Sequence, residues 1–289
     1  NDHIYNTKDR LWNGEKINQN NKVLVIKEQG AGDEILYASM YPDLLKSFPN
    51  TKIETDPRLI PLFERSFNNA NSFVAYNTFS KSNKSLKDFD VIMYAGSLGR
   101  LFRNSIEDFP KKHFLFSDKN KDKIIKEKLS GINNKKKIGI SWHSKNENYG
   151  SAKSLDLNMF IPIFILPEYT FINLQYGDTQ EEIKSFCNDS NINIVNIEEV
   201  DLFNDFEAIS SLLKNLDLFI TVSNTTAHVA GALGVPTWLI KPKNHAVFHY
   251  WNQPGNTTPW YSSITLYPYL KGWEQTIDII KKDLKKKFK

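Results

Sequence analysis

The chain has 289 residues, 40% hydrophobic and 13% aromatic. That is more than one small core holds and suits two packed α/β domains, so global disorder is excluded. The net charge of +4 belongs to the last nine residues: Lys281 to Lys289 carry +5 and leave the other 280 at −1, so the balance marks a basic tail and no nucleic-acid-binding face.

No run approaches the ~20 apolar residues that span a bilayer. The N-terminus shows no signal-peptide pattern and starts at Asn1 rather than Met, as in a piece processed or excised from something longer. Cys187 is the single cysteine, so an internal disulfide is ruled out; a lone thiol fits a reducing, cytoplasmic compartment and inert helix packing.

In chain order, Asn1 to Asn21 is polar apart from Arg10-Leu11-Trp12 and reads as an entry segment. Lys22 to Lys27 (KVLVIK) is a β-branched run of the buried parallel kind. It leads through Gly30-Ala31-Gly32-Asp33 into a helix predicted over Glu34 to Ser47, with Ile35, Leu36, Met40, Leu44 and Leu45 on one face. Strands are predicted at Thr51 to Thr55, Ser72 to Tyr76 and Asp90 to Tyr94, with a helix from Pro57 to Ser66. Lys119 to Lys137 is the predicted linker helix, which divides the chain into domains 1–125 and 126–289.

The pattern then restarts. Strands are predicted at Lys136 to Trp142, Tyr169 to Gln175, Ile192 to Ile197, Leu218 to Val222 and Thr237 to Ile240. Helices are predicted at Asp156 to Ile165, Thr179 to Cys187, Asp205 to Leu216 and Thr225 to Leu233, with Gly234 as C-cap, and a last amphipathic helix at Glu274 to Phe288. Two doubly wound α/β domains in tandem are the expected architecture.

In open parallel sheets, ligands bind beyond the carboxyl ends of the strands. Three segments lie there. Gly30 and Gly32, before Asp33, let the backbone approach a ligand beside free helix N–H groups, although the same turn forms with Asp33 merely capping the helix. Ser223, Asn224, Thr225 and Thr226 run from a buried strand into a small-residue helix carrying His228; hydroxyls and amide N–H groups there suit a pyrophosphate, and four polar residues exceed one cap. In the third segment, Trp142 and His143 are candidate pocket-lining residues, followed by the polar stretch Asn146 to Ser151 and by Lys153 and Ser154. Lys153 is either a phosphate partner or a solvated lysine. Gln175, closing its strand, completes the candidate donor-binding set. His245 and His249 stand four apart but lack a third ligand at motif spacing, and no Ser/His/Asp arrangement is present, so no metal is expected. Trp260, Tyr261 and Trp273 read as core or hinge aromatics.

The segments Glu28-Gln29-Gly30-Ala31-Gly32-Asp33-Glu34-Ile35, Gly139-Ile140-Ser141-Trp142, Lys153-Ser154-Leu155 and Val222 through Gly234 occur in that order in one family. The chain resembles the glycosyltransferase domain of bacterial tetratricopeptide-repeat proteins, itself similar to the ADP-heptose:lipopolysaccharide heptosyltransferases of glycosyltransferase family 9. Arg10 to Glu15 looks like the segment that joins repeats to that domain. The resemblance spans roughly residues 10 to 270.

It implies a GT-B fold, two Rossmann-like domains facing a cleft, with the acceptor on the N-terminal side and the donor on the C-terminal side. By the resemblance Asp33 is the catalytic base, needing burial in the cleft to raise its pKa, and Lys153 contacts donor phosphate. His228 matches the family's donor-loop histidine, whereas Ser223 stands where an aspartate is usual, which leaves the donor sugar open. The implied activity is metal-independent transfer of a sugar from a nucleotide-sugar donor to a hydroxyl of a carbohydrate, lipid-linked or protein acceptor. The alternative is a non-catalytic nucleotide-sugar-binding or scaffold module that keeps the fold.

Overall fold

The computed structural model describes residues 11–79, 86–145, 150–242 and 248–288. Arg10, residues 146–149, His245 and Lys289 lie outside the described residues. The chain divides into two compact units, Asn1–Pro110 with Phe114–Phe116, and Lys111–His113 with Ser117–Lys289.

The first unit is built on a four-stranded sheet in the order β3-β2-β1-β4, all parallel. Its strands are β1 (Val23–Ile26), β2 (Thr51–Thr55), β3 (Phe73–Ala75) and β4 (Val91–Tyr94). β1 is buried along its whole length, with Val23 opposite Thr51 on one side and Val91 on the other. A central strand has no solvent face, which is why its sequence is a continuous apolar run. Leu11 bridges to Ile92 and the Trp12 N–H donates to the Ile92 carbonyl, so these two residues lie along the outer edge of β4.

The second unit holds a six-stranded sheet in the order β10-β9-β8-β5-β6-β7, again all parallel. Its strands are β5 (Lys136–Ser141), β6 (Tyr169–Asn173), β7 (Ile194–Val195), β8 (Leu218–Val222), β9 (Thr237–Ile240) and β10 (Ile264–Tyr267). In the central pairings Ile138 faces Phe171 and Leu218. Ile138, Ile140, Ile220 and Val222 join Phe160, Phe164 and Trp142 in one large core. The helix Lys119–Ile132 belongs wholly to this unit and packs on the helix Phe206–Lys214.

Three predicted helices are broken, and one cause covers all three. The helix expected over Glu34 to Ser47 is two, α1 (Ala31–Ala38) and α2 (Tyr41–Ser47), with Pro42 in the first turn of the second. Pro57 to Ser66 is a 3-10 turn, Pro57–Leu59, and then α3 (Ile60–Phe67) with Pro61 in its first turn. Asp156 to Ile165 is likewise a 3-10 turn, Leu157–Phe160, and then the short helix Ile161–Phe164, with Pro162. Proline clashes with the carbonyl four residues back and has no N–H to donate, so the chain resets just before it.

β10 has no counterpart among the predicted elements. The helix over Thr225 to Leu233 forms as expected and ends at Gly234, whose φ of 72° is the left-handed cap conformation open to glycine.

Candidate functional site

Each sheet has one place where the strand order reverses. In the first unit β1 leads to β2 on one side while β4 lies on the other. In the second, β5 leads to β6 on one side while β8 lies on the other. Crossover connections diverge at such points and leave a crevice at the carboxyl ends, where ligands bind.

In the first unit the crevice is bounded by the turn after β1. Gln29 takes the left-handed conformation (φ 56°), and Gly30 is the N-cap of α1 at φ −92° with no side-chain cap. A Cβ on Gly30 would meet nothing within 4 Å, so open space lies beside it. Asp33 is half-buried in the first turn of α1 and Gly32 precedes it there, so Asp33 is not the cap. Tyr37 follows one turn later, on the same side of the helix. Burial, and then the charges of Asp33 and Glu28, push its hydroxyl up to about 12, so it is a proton donor at any physiological pH. Glu28 Oε2 accepts from the Gly96 N–H after β4 at 2.7 Å. A Cβ on Gly96 would stand 2.9 Å from that oxygen and 3.3 Å from the Tyr37 hydroxyl, so a larger residue there would push the Glu28 carboxylate aside.

Glu34 lies beneath this turn, 1% exposed. Its Oε2 accepts from Thr55 Oγ1 at 2.7 Å and from the Asp56 N–H at 2.9 Å, and its Oε1 is 3.0 Å from Lys27 Nζ. Burial outweighs those partners and raises its pKa. Lys27 Nζ also donates to the Gln29 carbonyl at 2.7 Å, so one buried ion pair ties the ends of β1 and β2 to the strained turn.

In the second unit the crevice is cross-linked by amide side chains. Gln175 Oε1 accepts from Ser141 Oγ, the Trp142 N–H and the His143 N–H at 3.0, 2.9 and 2.7 Å. Asn224 Nδ2 donates to Ser141 Oγ at 2.7 Å and to the His143 carbonyl at 3.3 Å, while its Oδ1 caps the Ala227 N–H at 3.1 Å. The loop after β5 is thereby fastened to the entrance of the helix Thr225–Leu233.

The predicted residues take distinct places around that crevice. The Trp142 ring is fully buried in the core with its indole N–H on Glu182 at 2.9 Å, so it packs the sheet rather than lining a pocket. His143 Nε2 meets the same carboxylate oxygen at 3.1 Å. Ser154 Oγ accepts from the Ser144 N–H and donates to the Gly150 carbonyl, closing its loop. Lys153 ends the short helix Gly150–Lys153 and is 6% exposed, not the solvated lysine that its polar neighbours suggest. Its Nζ lies 4.1 Å from the centre of the Phe248 ring, a cation–π distance.

Thr225 is half-buried and Thr226 buried at the first turn, and neither hydroxyl makes a hydrogen bond among the described residues. Ser223 is 2% exposed and its Oγ accepts the Trp251 indole N–H at 2.9 Å. His228 is 3% exposed, with Nδ1 2.9 Å from the Tyr261 hydroxyl and its ring against Tyr250 and Trp251. Burial, then the charges of Lys153 and His249, push its pKa down to about 3, so the imidazole is neutral.

Tyr37, Glu34, Trp251 and Tyr261 escaped the sequence reading as site residues. Tyr37 alone had a local signal, its four-residue spacing from Asp33. Among the described residues no three His, Cys, Asp or Glu side chains gather as metal ligands, and His249 packs against Tyr250 and Trp260.

No protein-family profile matches the sequence. Protein FlbA of Caulobacter vibrioides is 29% identical over 270 residues, covering 89% of this chain and 44% of that protein; the chain thus spans less than half of its relative. Among solved structures, ADP-heptose LPS heptosyltransferase II of E. coli superposes with a TM-score of 0.63 at 14% identity, covering 92% of this chain and 98% of that one. A family 9 glycosyltransferase of Veillonella parvula gives 0.60 at 14% identity, with 93% of both chains covered. E. coli heptosyltransferase WaaC with ADP-2-deoxy-2-fluoro heptose gives 0.53 at 11%, covering 92% and 99%. At such identities the likeness is one of fold: this chain has the α/β fold, with parallel sheets, of the heptosyltransferases.

Proposed function

We propose that the chain is a GT-B-type glycosyltransferase that transfers a sugar from a nucleotide-sugar donor to an acceptor hydroxyl without a metal. The observation that carries this is the second unit's switch point. There a helix N-terminus with two uncommitted threonine hydroxyls lies in the same unit as a buried lysine and a neutral histidine. Hydroxyls, free N–H groups and the helix dipole receive the donor diphosphate, and Lys153 supplies the positive charge. The solved neighbours named for ADP-heptose share the fold and support a nucleotide sugar as the ligand class.

In the proposed reaction the acceptor oxygen attacks the anomeric carbon and its proton passes to the Asp33 carboxylate. The bond from that carbon to the diphosphate breaks, and its electron pair leaves with the diphosphate. Arg10 to Glu15 resembles a repeat-to-transferase junction and the FlbA relative is longer, which supports tetratricopeptide repeats preceding this unit in a longer protein; a cytoplasmic location goes with that reading.

A second reading, a nucleotide-sugar-binding module without turnover, is favoured by Ser223, which replaces the family's aspartate and whose oxygen is taken by Trp251. A thermal-shift screen of nucleotide sugars in excess chelator tests the common ground: a donor at a hundred times its Kd stabilises by about 2.7 kcal/mol. No shift with any donor, or one that needs added magnesium, overturns the proposal. Release of nucleotide from a labelled donor then separates enzyme from binding module.

A further inference from the structure

The last helix of the second unit, α4 (Trp273–Lys287), buries Trp273, Thr276, Ile277, Ile280 and Leu284 against the core. Lys282, Lys285, Lys286 and, at its very end, Lys287 are exposed, with Lys281 half-exposed. These five lysines form no ion pair among the described residues; Lys287 only rests over Trp238 and Phe288 at 5.7 and 5.8 Å. A helix C-terminus gains from a positive charge or two in its last turn, and five exceed that need.

Position within the unit shows what these charges do not serve. Lys136, the first residue of β5, lies 5.4 Å from the Phe288 ring; Tyr169, the first of β6, donates its hydroxyl to the Leu284 carbonyl; Trp238 stands at the start of β9. The basic end of α4 is therefore at the amino edge of the sheet, opposite the edge where the donor is proposed to bind. Two of the acids nearby are engaged. Asp283 accepts the Tyr267 hydroxyl and Asp217 pairs with Lys136, while Glu168 and Asp278 are exposed. Two aliphatic side chains are exposed on this part of the unit: Ile279, one turn before Lys282 and two before Lys286, and Ile165, just past a short helix that packs on α4.

We infer that this face is a docking surface for an anionic membrane. The cations are all lysines on one helix, point charges without the fork geometry that reads individual phosphates or carboxylates. Such a set suits a diffuse negative plane, and the exposed isoleucines suit its interfacial layer rather than a nucleic-acid backbone. Docking this edge leaves the opposite edge of the same sheet open to a soluble donor.

Flotation of the full chain with phosphatidylcholine vesicles, with and without phosphatidylglycerol, tests this. At about 0.1 M salt, where screening reaches ~10 Å, the chain should float only with the anionic vesicles. Each lysine near such a surface contributes about fivefold in partitioning, from ~1 kcal/mol. Lys282→Gln, Lys285→Gln, Lys286→Gln and Lys287→Gln together should therefore cost several hundredfold, about 600, and arginine at the same four positions should restore it. Ile279→Ser should weaken flotation at unchanged charge. Circular dichroism and donor binding should be unaltered in every variant, which keeps this outcome separate from that of the donor site. Flotation with neutral vesicles, none with anionic ones, a glutamine variant that still floats, or preference for duplex RNA over the vesicles would each overturn the inference.

Discussion

Acidification probes the imidazole of His228, which is buried neutral beside Lys153 and His249. Its pKa is about 3 in the folded chain against 6.5 for the free side chain. The folded value is depressed, so the unfolded chain binds the extra proton first. The stability that His228 contributes is complete above about pH 6.5 and is lost as the pH falls toward 3. The slope is about 1.4 kcal/mol per pH unit, and the whole span is worth roughly 5 kcal/mol. That is a large fraction of a domain's stability. Urea unfolding followed by tryptophan fluorescence reads the right unit, because Trp142, Trp238, Trp251, Trp260 and Trp273 lie in the second unit and only Trp12 in the first. His228→Gln keeps a polar partner for Tyr261 but does not titrate. The stability difference between wild type and this variant should shrink at the stated slope below pH 6.5. A difference that stays flat to pH 4, or an imidazole NMR resonance of His228 that titrates near pH 6.5, would refute the argument from burial.

Asp33→Asn should preserve fold and donor affinity while slowing transfer by about 10² to 10⁴, whereas Lys153→Ala should weaken donor binding itself, as calorimetry against turnover would reveal. If Asp33→Asn unfolds the first unit, the residue is structural. Gly231→Ala would place a Cβ 2.5 Å from Tyr261 Cγ. It should cost about 1–3 kcal/mol in urea unfolding and loosen the hydroxyl held on His228; an unchanged midpoint contradicts the packing. Trp251→Phe removes the indole N–H from buried Ser223 and should destabilise the second unit by about 1–3 kcal/mol, and a neutral result would mean that water replaces it. Deleting Lys285 to Lys289 should leave nucleotide-sugar affinity unchanged by calorimetry.

Strands such as Val23–Ile26 are legible because a strand buried on both faces needs an unbroken apolar run. Leu218–Val222 has the predicted bounds, and so does Thr51–Thr55 despite its mixed TKIET sequence. Pro42, Pro61 and Pro162 defeated the helix predictions because periodicity counts faces and ignores the missing N–H. β10 was hidden since the connection from β9 contains no described helix to mark a further β-α-β unit. At the candidate site, small and polar residues after β1 and β8 stood out locally, whereas Trp251 and Tyr261 reach Ser223 and His228 from 28 and 33 residues away. Such convergence leaves no mark on any window of the chain. Trp142 misled for the opposite reason: an aromatic at a strand end reads as a pocket wall, while here the core takes it whole.

The lock between Asn224 and Ser141 sets how many ligand atoms the helix entrance can serve. With Nδ2 held by Ser141 Oγ, Oδ1 of Asn224 must face the Ala227 N–H, so that donor is already spent on the cap. Of the first-turn donors, the N–H groups of Thr225 and Thr226 and their two hydroxyls remain. Two backbone and two hydroxyl donors are about what a single phosphoryl group of the proposed donor would accept. In the proposed donor complex the other phosphate of the diphosphate would then depend on side-chain charge, with Lys153 the candidate to hold it.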